Sequence, residues 1–491
     1  MPGPDELSRE ELIELVGSQA RRIGELEAAN ASLSERLERL ERRVSRNSGN
    51  SSMPPSSDDT PGTTPPRRER RAAGGSKRRR GKQGGAEGHA LAWAEDPLVV
   101  DHRPRGLCAG CGHDLAVAAE AGVARACQVT DIPLVTATTT EHRMHRARCG
   151  CGQVAIAAPP PQAAAGASRV YGPNLRALVV YLLAYQQLPI ERAARLIADV
   201  TGAGPSVGFT HSMLARFAAG VDDVVTLIKT LITMAAVAHF DETTLRTGPA
   251  GQKRYVLSAG TPEFTAYHLG RRHIDSFTEF GVLPAFTGVA VHDRYAVYDH
   301  VRFPVGAHQL CVAHLLRDLE DAAQTYPAAH WPDQAARALR ALIGSHHHAR
   351  DTGLAAVPTD IADPHIGEFR AEVRVGLAQL RPPTGHHAGP PGRRLLEDLR
   401  DREADVLRFL SDTRIEPTNN LAERDVRWAK TQQNTSGRLT SSEITAARLT
   451  ARSYIATVIK HGNDALTAIR DAITGNPWTP PAAAGLAHAG P

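Results

Sequence analysis

A short apolar run that meets two acids constrains this chain more than any other feature. The stretch AVAHFDETTLR, residues 236–246, reads as a buried strand over Ala236–Phe240, with Asp241 and Glu242 directly after it. Carboxylates at the end of an apolar strand are costly to bury unless an arginine, a water network or a metal ion meets them. Downstream, KRYVLSAG (253–260) and FTAYHLG (264–270) alternate as strands joined by a short turn. HIDSFTEFGVLP (273–284) reads as a helix, and FTGVAVHD (286–293) is a further strand ending in a second acid, Asp293. HQLCVAHLLRDLEDA (308–322) runs from a short strand into a helix.

Three strands, a helix, a strand with an acid, then a strand and a helix is the layout of the ribonuclease H-like fold. In that layout the first and fourth strands are neighbours, so Asp241 and Asp293 are expected side by side. Two adjacent carboxylates need a shared proton or a divalent cation. An oxygen-rich site of this kind suits Mg²⁺ or Mn²⁺.

The third acid has to come from further along. Residues 316–412 read as mostly helical and rich in His and Arg, and SHHHAR (345–350) and TGHHAG (384–389) lack the spacing of a helical metal motif and read as exposed. After them, IEPTNNLAERDVRWAK offers a helix carrying Glu423, capped by Asn419 or Asn420. That helix can return to the sheet beside the two Asp residues. Spacing also allows a humbler role, because Asn420 and Glu423 have capping-box spacing and Glu423 to Arg427 is an i,i+4 ion pair.

The N-terminal part is organised differently. Residues 6–46 carry a heptad with Val16, Ile23, Asn30, Leu37 and Val44 at one core position and Leu12, Leu26, Leu33 and Leu40 at the other. β-Branched or Asn residues at the first with Leu at the second favour a parallel two-stranded coil. A Ser/Pro/Gly/Asn-rich linker follows and runs into RRERRAAGGSKRRRGK, residues 67–82. Its cations, Arg67, Arg68, Arg70, Arg71, Lys77, Arg78, Arg79, Arg80 and Lys82, give the arm a net +8 in a chain of net +4. A mildly acidic body thus carries a basic arm suited to a polyanion through phosphate contacts.

The six cysteines do not make a disulfide framework. Cys108 and Cys111, then about 40 residues of strand-like sequence, then Cys149 and Cys151 fit a four-thiolate Zn²⁺ site. His113 and His145 are possible substitutes, and Cys127 and Cys311 read as core residues. Residues 172–219 read as three helices with a tight turn before the third, similar to a helix-turn-helix. There is no signal-type apolar N-terminus and no run of roughly 18 apolar residues, so a cytoplasmic protein without membrane contact is expected.

Several of these segments together resemble the IS sixty-six family of bacterial insertion-sequence transposases. They are VAHFDETTLR, GVAVHDRYAVYDH, HQLCVAHLLRDLE and NNLAERDVRWAKTQQNTSGRL with ARSYIATVIKHGNDAL, joined by SRNSGNSSMPPSSD, GKQGGAEGHAL and the two cysteine pairs. The chain departs from the family's pattern at Asn434, where Lys is common, and in RLTS after the SG at 436–437. The family is classed with the DDE transposases. That implies Asp241, Asp293 and Glu423 as a triad holding two catalytic metals (Mg²⁺ or Mn²⁺), with the 316–412 helices as an insertion. It implies metal-dependent hydrolysis at element ends and strand transfer into double-stranded target DNA. Arg424, Arg427 and Lys430 become candidate phosphate contacts, and His314 a candidate active-site residue.

The expected organisation is a coiled coil (1–46) supporting a homodimer, a basic linker (47–83), a zinc-binding domain (84–165) and a helical DNA-binding region (166–232). A ribonuclease H-like catalytic domain (233–475) and a tail (476–491) complete it. Accessory proteins are possible partners. A catalytically silent DNA-binding derivative and a ribonuclease H-like nuclease are the competing functional classes.

Overall fold

In the computed structural model, residues 8–9, 16–27, 29–30, 33, 37, 92–132, 135–161, 168–248, 251–382, 389–437, 439 and 441–481 are described. The basic arm and the His386–His387 pair lie outside them. Residues 16–27 are helical, and the heptad residues Val16, Ile23 and Leu26 are exposed, so this stretch of the helix does not bury its apolar stripe in its own chain.

Between 92 and 161 the regular structure is slight. A two-stranded antiparallel hairpin, β1 (Arg146–Arg148) and β2 (Val154–Ile156), pairs Arg146 with Ile156 and Arg148 with Val154. No described residue of this stretch is buried. Cys127, expected in a core, is exposed; with no apolar layer nearby there is nothing for it to enter.

Three helices then form a packed unit: α1 (Pro173–Val180, continued by a π-turn over Tyr181–Tyr185), α2 (Ile190–Thr201) and α3 (Val207–Thr233). Gly202 ends α2 in the left-handed region at φ 72°, and the Ser206 side chain caps α3 by accepting from the Phe209 amide. The third helix runs well past the expected 219 because Met213, Phe217, Val221, Val224, Ile228 and Leu231 continue one apolar stripe. That stripe packs into a core shared with the sheet and with a late helix, α11 (Ser442–Lys460), through Tyr454, Ile455 and Val458.

The sheet has five strands: β3 (Val237–Thr247), β4 (Gln252–Gly260), β5 (Thr265–Gly270), β6 (Val289–His292) and β7 (Ala307–Leu310), in the order β5-β4-β3-β6-β7. The first three pair antiparallel, whereas β3–β6 and β6–β7 are parallel. The first and fourth strands are therefore neighbours, with Val237 opposite Val289 and His239 opposite Val291. The approach of β6 to β3 needs Gly288: a Cβ there would lie 2.5 Å from the Ala235 carbonyl oxygen and 2.6 Å from that of Ala236.

One expectation is corrected here. The first strand does not stop at Phe240 but runs on to Thr247, because Asp241 and Glu242 pair in register with Ser258 and Leu257 of β4. Both acids thus sit within a central strand.

Helix α4 (Ile274–Phe280) follows β5. After β7 come α5 (Val312–Thr325), α6 (Trp331–Asp351), α7 (Thr359–Gln379), α8 (Arg393–Asp401) and α9 (Glu403–Leu407). These form a separate core around Trp331, Leu339, Phe369, Leu396 and Phe409 that meets the sheet through Val291 and Leu310. The SHHHAR run lies on α6, and its first histidine is buried against Phe409, contrary to the exposed reading; three consecutive helical residues cannot all face solvent when one falls on the apolar stripe. Helix α10 (Asn420–Ser436) then returns to the sheet, packing Val426, Trp428 and Ala429 on Leu245, Val256 and Tyr267. Helices α11 and α12 (Ala465–Ile473) close the described structure. No helix among the described residues is long and apolar enough to cross a membrane.

Candidate active site

Period-two alternation along β3 sends His239 and Asp241 to one face and Phe240 and Glu242 to the other. On the first face, Asn419 immediately before α10 anchors that helix to the strand. Its side-chain amide donates to the Phe240 carbonyl at 2.7 Å, its Oδ1 lies 3.1 Å from His239 Nδ1, and its backbone N–H meets Cys311 Sγ at 3.2 Å. Glu423 follows one turn into the helix, its amide donating to the Asn419 carbonyl at 3.0 Å. The capping-box arrangement is not formed: α10 begins at Asn420, which places Glu423 one position beyond the third helical residue that the box requires. Glu423 pairs instead with His314 of α5, Oε1 to Nδ1 at 3.8 Å.

Asp293 directly follows β6, and its carboxylate accepts from the Tyr295 amide at 2.8 Å. The acids act on one another. Burial first, and then the neighbouring charges of Glu242, Asp293 and Glu423, hold the Asp241 carboxyl well above the usual carboxylate range. Asp241, Asp293 and Glu423, far apart in sequence, are thus near enough for their charges to act on one another, although their oxygens are not all gathered within 4.8 Å.

On the other face, Glu242 is buried and accepts from Tyr298 Oη at 2.7 Å and from Arg272 Nε at 2.8 Å. Arg272 also reaches Asp293 at 3.8 Å and stacks on the Tyr295 ring at 4.0 Å. Burial, aided by Asp293, still pushes the Glu242 carboxyl up to about 8, against the pull of Arg272 and Tyr298. An arginine therefore does meet the acidic pair, but through Glu242 and Asp293; among the described residues no ion pair gives Asp241 a cation. Sequence reasoning missed Arg272 and Tyr298, whose only signal is a cation in the β5–α4 loop and an aromatic five residues past Asp293.

Of the other candidates on α10, Arg427 is exposed and Lys430 half-buried. Asp425 is taken up elsewhere, accepting from Lys460 Nζ at 2.8 Å and Thr265 Oγ1 at 2.9 Å. Glu416 pairs with Arg350 at 2.8 Å.

The cysteine pairs lie in two similar turns. The Cys108 amide donates to the His113 carbonyl and the Gly112 amide back to the Cys108 carbonyl, both at 2.8 Å. The Cys149 amide likewise donates to Gln153 and the Gly152 amide to Cys149, both at 2.8 Å. Gly112 and Gly152 close these turns at φ 70° and 91°, where a side chain would be strained. The Gly110 and Cys111 amides lower the Cys108 thiol, and the Cys151 amide and thiol lower that of Cys149. Donor chemistry and turn shape suit thiolate ligation. The two pairs nevertheless do not lie together: the clusters of three or more potential metal donors among the described residues are His292–Asp299–His308 and Cys311–His314–Glu423.

Comparison with known proteins adds two matches. The family model described as Transposase IS66 family matches residues 168–448, spanning the α1–α3 unit, the sheet, helices α5–α9 and α10. A second, described as Family of unknown function (DUF6444), matches residues 2–92. No curated protein matches the chain.

Proposed function

Because the chain belongs to the IS66 family of transposases, we propose that it is a DDE-type polynucleotidyl transferase. In this reading it hydrolyses phosphodiester bonds at element ends and joins the freed ends to target DNA. The reading takes the sheet and its flanking helices as a ribonuclease H-like core, with 316–412 as an insertion; the strand order and the parallel β3–β6 pair support this. Asp241, Asp293 and Glu423 are its metal-binding acids.

One observation carries the assignment. Carboxylates on β3, just after β6 and on the returning helix lie close enough that burial, and then the charges of the other acids, raise the Asp241 carboxyl, while Glu423 Oε1 is buried with no hydrogen-bond partner among the described residues. A cluster of repelling carboxylates with an orphaned oxygen fits divalent cations such as Mg²⁺ or Mn²⁺. These acids would hold such cations, and the chemistry supplied there would be activation of the attacking oxygen and stabilisation of the leaving one in an in-line displacement.

The protein's own groups do the positioning. Asn419 fixes the start of α10 against β3 and so sets where Glu423 projects. Arg272 offsets the charge of Glu242 and Asp293, and Tyr298 holds the second oxygen of Glu242. Arg424 and Arg427, exposed on the outer side of α10, are suited to DNA phosphates. The basic arm adds non-specific attraction, and the 6–46 heptad would pair two chains so that both ends are cut in one assembly. The two cysteine turns would close on one structural Zn²⁺, which would have to draw the separated pairs together.

The test is cleavage of DNA bearing the element ends, with Mg²⁺ or Mn²⁺. Asp241→Ala and Asp293→Ala should each abolish cleavage and leave end binding nearly intact. Glu423→Gln keeps the shape and the helix, so activity should fall by orders of magnitude with little change in melting temperature. Near-normal cleavage by Glu423→Gln would refute the triad, and the commitments of Asp425 and Glu416 leave neither as a ready replacement.

A further inference from the structure

We propose that Cys311, His314 and Glu423 form a zinc-capture site at the edge of the acidic cluster, through which Zn²⁺ inhibits metal-dependent DNA cleavage. The inhibitory half rests on the assignment of Glu423 above; the binding half does not.

Cys311 ends the short connection from β7 and His314 lies three residues on, in the first turn of α5. That spacing puts the two side chains on one side of the helix start. Glu423 arrives from α10, whose first turn is tied to the same point by the Asn419 amide on Cys311 Sγ. The three donor atoms lie within 4.8 Å of one another.

Two of them are unsatisfied. His314 Nδ1 and Glu423 Oε1 are buried atoms with no hydrogen-bond partner among the described residues, although they face each other at 3.8 Å. Leaving both polar atoms bare costs free energy that a bridging group would recover. A tetrahedral zinc with ligands at ordinary lengths would set this N···O edge at ~3.4 Å, so a shift of a few tenths of an ångström closes the site.

The donor set decides which ion. Thiolate, imidazole and carboxylate together suit Zn²⁺, whereas Mg²⁺ takes oxygen ligands and has no use for the sulfur. On binding, the Cys311 thiol gives up its proton to solvent, and Glu423 is drawn into the zinc site. Glu423 is about one-third exposed, which gives the ion a way in from solvent.

Equilibrium dialysis of the full chain against Zn²⁺, with Cys311→Ser and His314→Gln alongside, tests the binding. The wild type should hold about one equivalent more than either variant, since any zinc on the distal cysteines is common to all three. Serine still accepts the Asn419 amide, and the melting temperature of each variant identifies one that fails to fold. Substituted Co²⁺ gives a second readout: the sulfur-to-cobalt absorption assigned to Cys311 should be missing from Cys311→Ser. Added Zn²⁺ should then suppress Mn²⁺-supported cleavage by the wild type about tenfold or more and that by Cys311→Ser far less. Equal zinc uptake by wild type and both folded variants would overturn the site. Zinc that binds through Cys311 yet leaves cleavage untouched would uphold the site and break the catalytic assignment of Glu423, so the two failures are distinguishable.

Discussion

Residues 92–161 and the sheet with its returning helix each carry a proposed metal site, but they are held together by opposite means. Around Asp241 the strands are backed by Phe240, Leu257, Ala259 and Phe286 on one face and by Leu245, Val256 and Trp428 on the other. Packing of that kind fixes acidic side chains against their mutual repulsion before any ion arrives. The cysteine region has no buried residue among those described, and its two turns are set by backbone hydrogen bonds and left-handed glycines. A stretch with so little core needs a staple to stay folded. The lesson is a difference in what the ion does: in one region it would complete a preformed site, in the other it would create the fold.

The largest effect expected from that contrast is selective unfolding. Chelation, or Cys149→Ser, should abolish structure in 92–161 while leaving 168–481 melting as before, because structural zinc in small modules supplies ~10–16 kcal/mol of apparent binding free energy. Hydrogen exchange read segment by segment checks this. Unchanged protection at 146–156 after zinc removal would break the comparison.

An intermediate effect is expected inside the packed region. Asn419→Ala removes the amide bond to the Phe240 carbonyl and the contact with His239, and leaves both partners buried and unmet. The cost should be about 2–4 kcal/mol. Activity should fall further than stability explains, because the start of α10 also sets the position of Glu423. A variant with wild-type cleavage and a lowered melting temperature would separate the anchor from the chemistry.

The comparison also explains what could be read from sequence. Strands β4 to β7 and helix α4 were legible within a few residues, because their periodicity is local and each ends near a glycine, a turn or an acid. The pairing of β3 with β6, which lets the charge of Asp293 act on Asp241, followed from strand order. The surroundings of the acids did not, since Asn419 reaches β3 across 179 residues and Arg272 reaches Glu242 across 30, and neither leaves a local pattern. The capping-box reading of Glu423 failed for a related reason. A tertiary contact fixed Asn419 outside the helix and moved its start by one residue. The buried histidine of SHHHAR was hidden because a run of identical residues carries no period.

The smallest effect concerns Arg272, and it depends on pH. Breaking a buried ion pair usually costs several kcal/mol. Arg272, however, is more than one-third exposed, and Tyr298 remains on Glu242. Solvent screening and that second donor bring the expected cost of Arg272→Gln to about 1 kcal/mol at pH 9, where Glu242 is ionised. The Glu242 carboxyl is raised to about 8 in the folded chain, above its unfolded value. Protonation therefore favours the fold, and metal-free stability should decline as pH rises through this range. At pH 6 Glu242 is largely protonated with or without the arginine, so the substitution should change little. At pH 9 the wild type pairs an ionised Glu242 with Arg272, and the variant leaves that charge to Tyr298 alone. The melting-temperature gap between the two proteins should widen from pH 6 to pH 9 without metal, and narrow again when Mn²⁺ is added at the higher pH. A gap that stays constant with pH and ignores Mn²⁺ would mean that Arg272 is held by its stacking on Tyr295 and does not serve the acids.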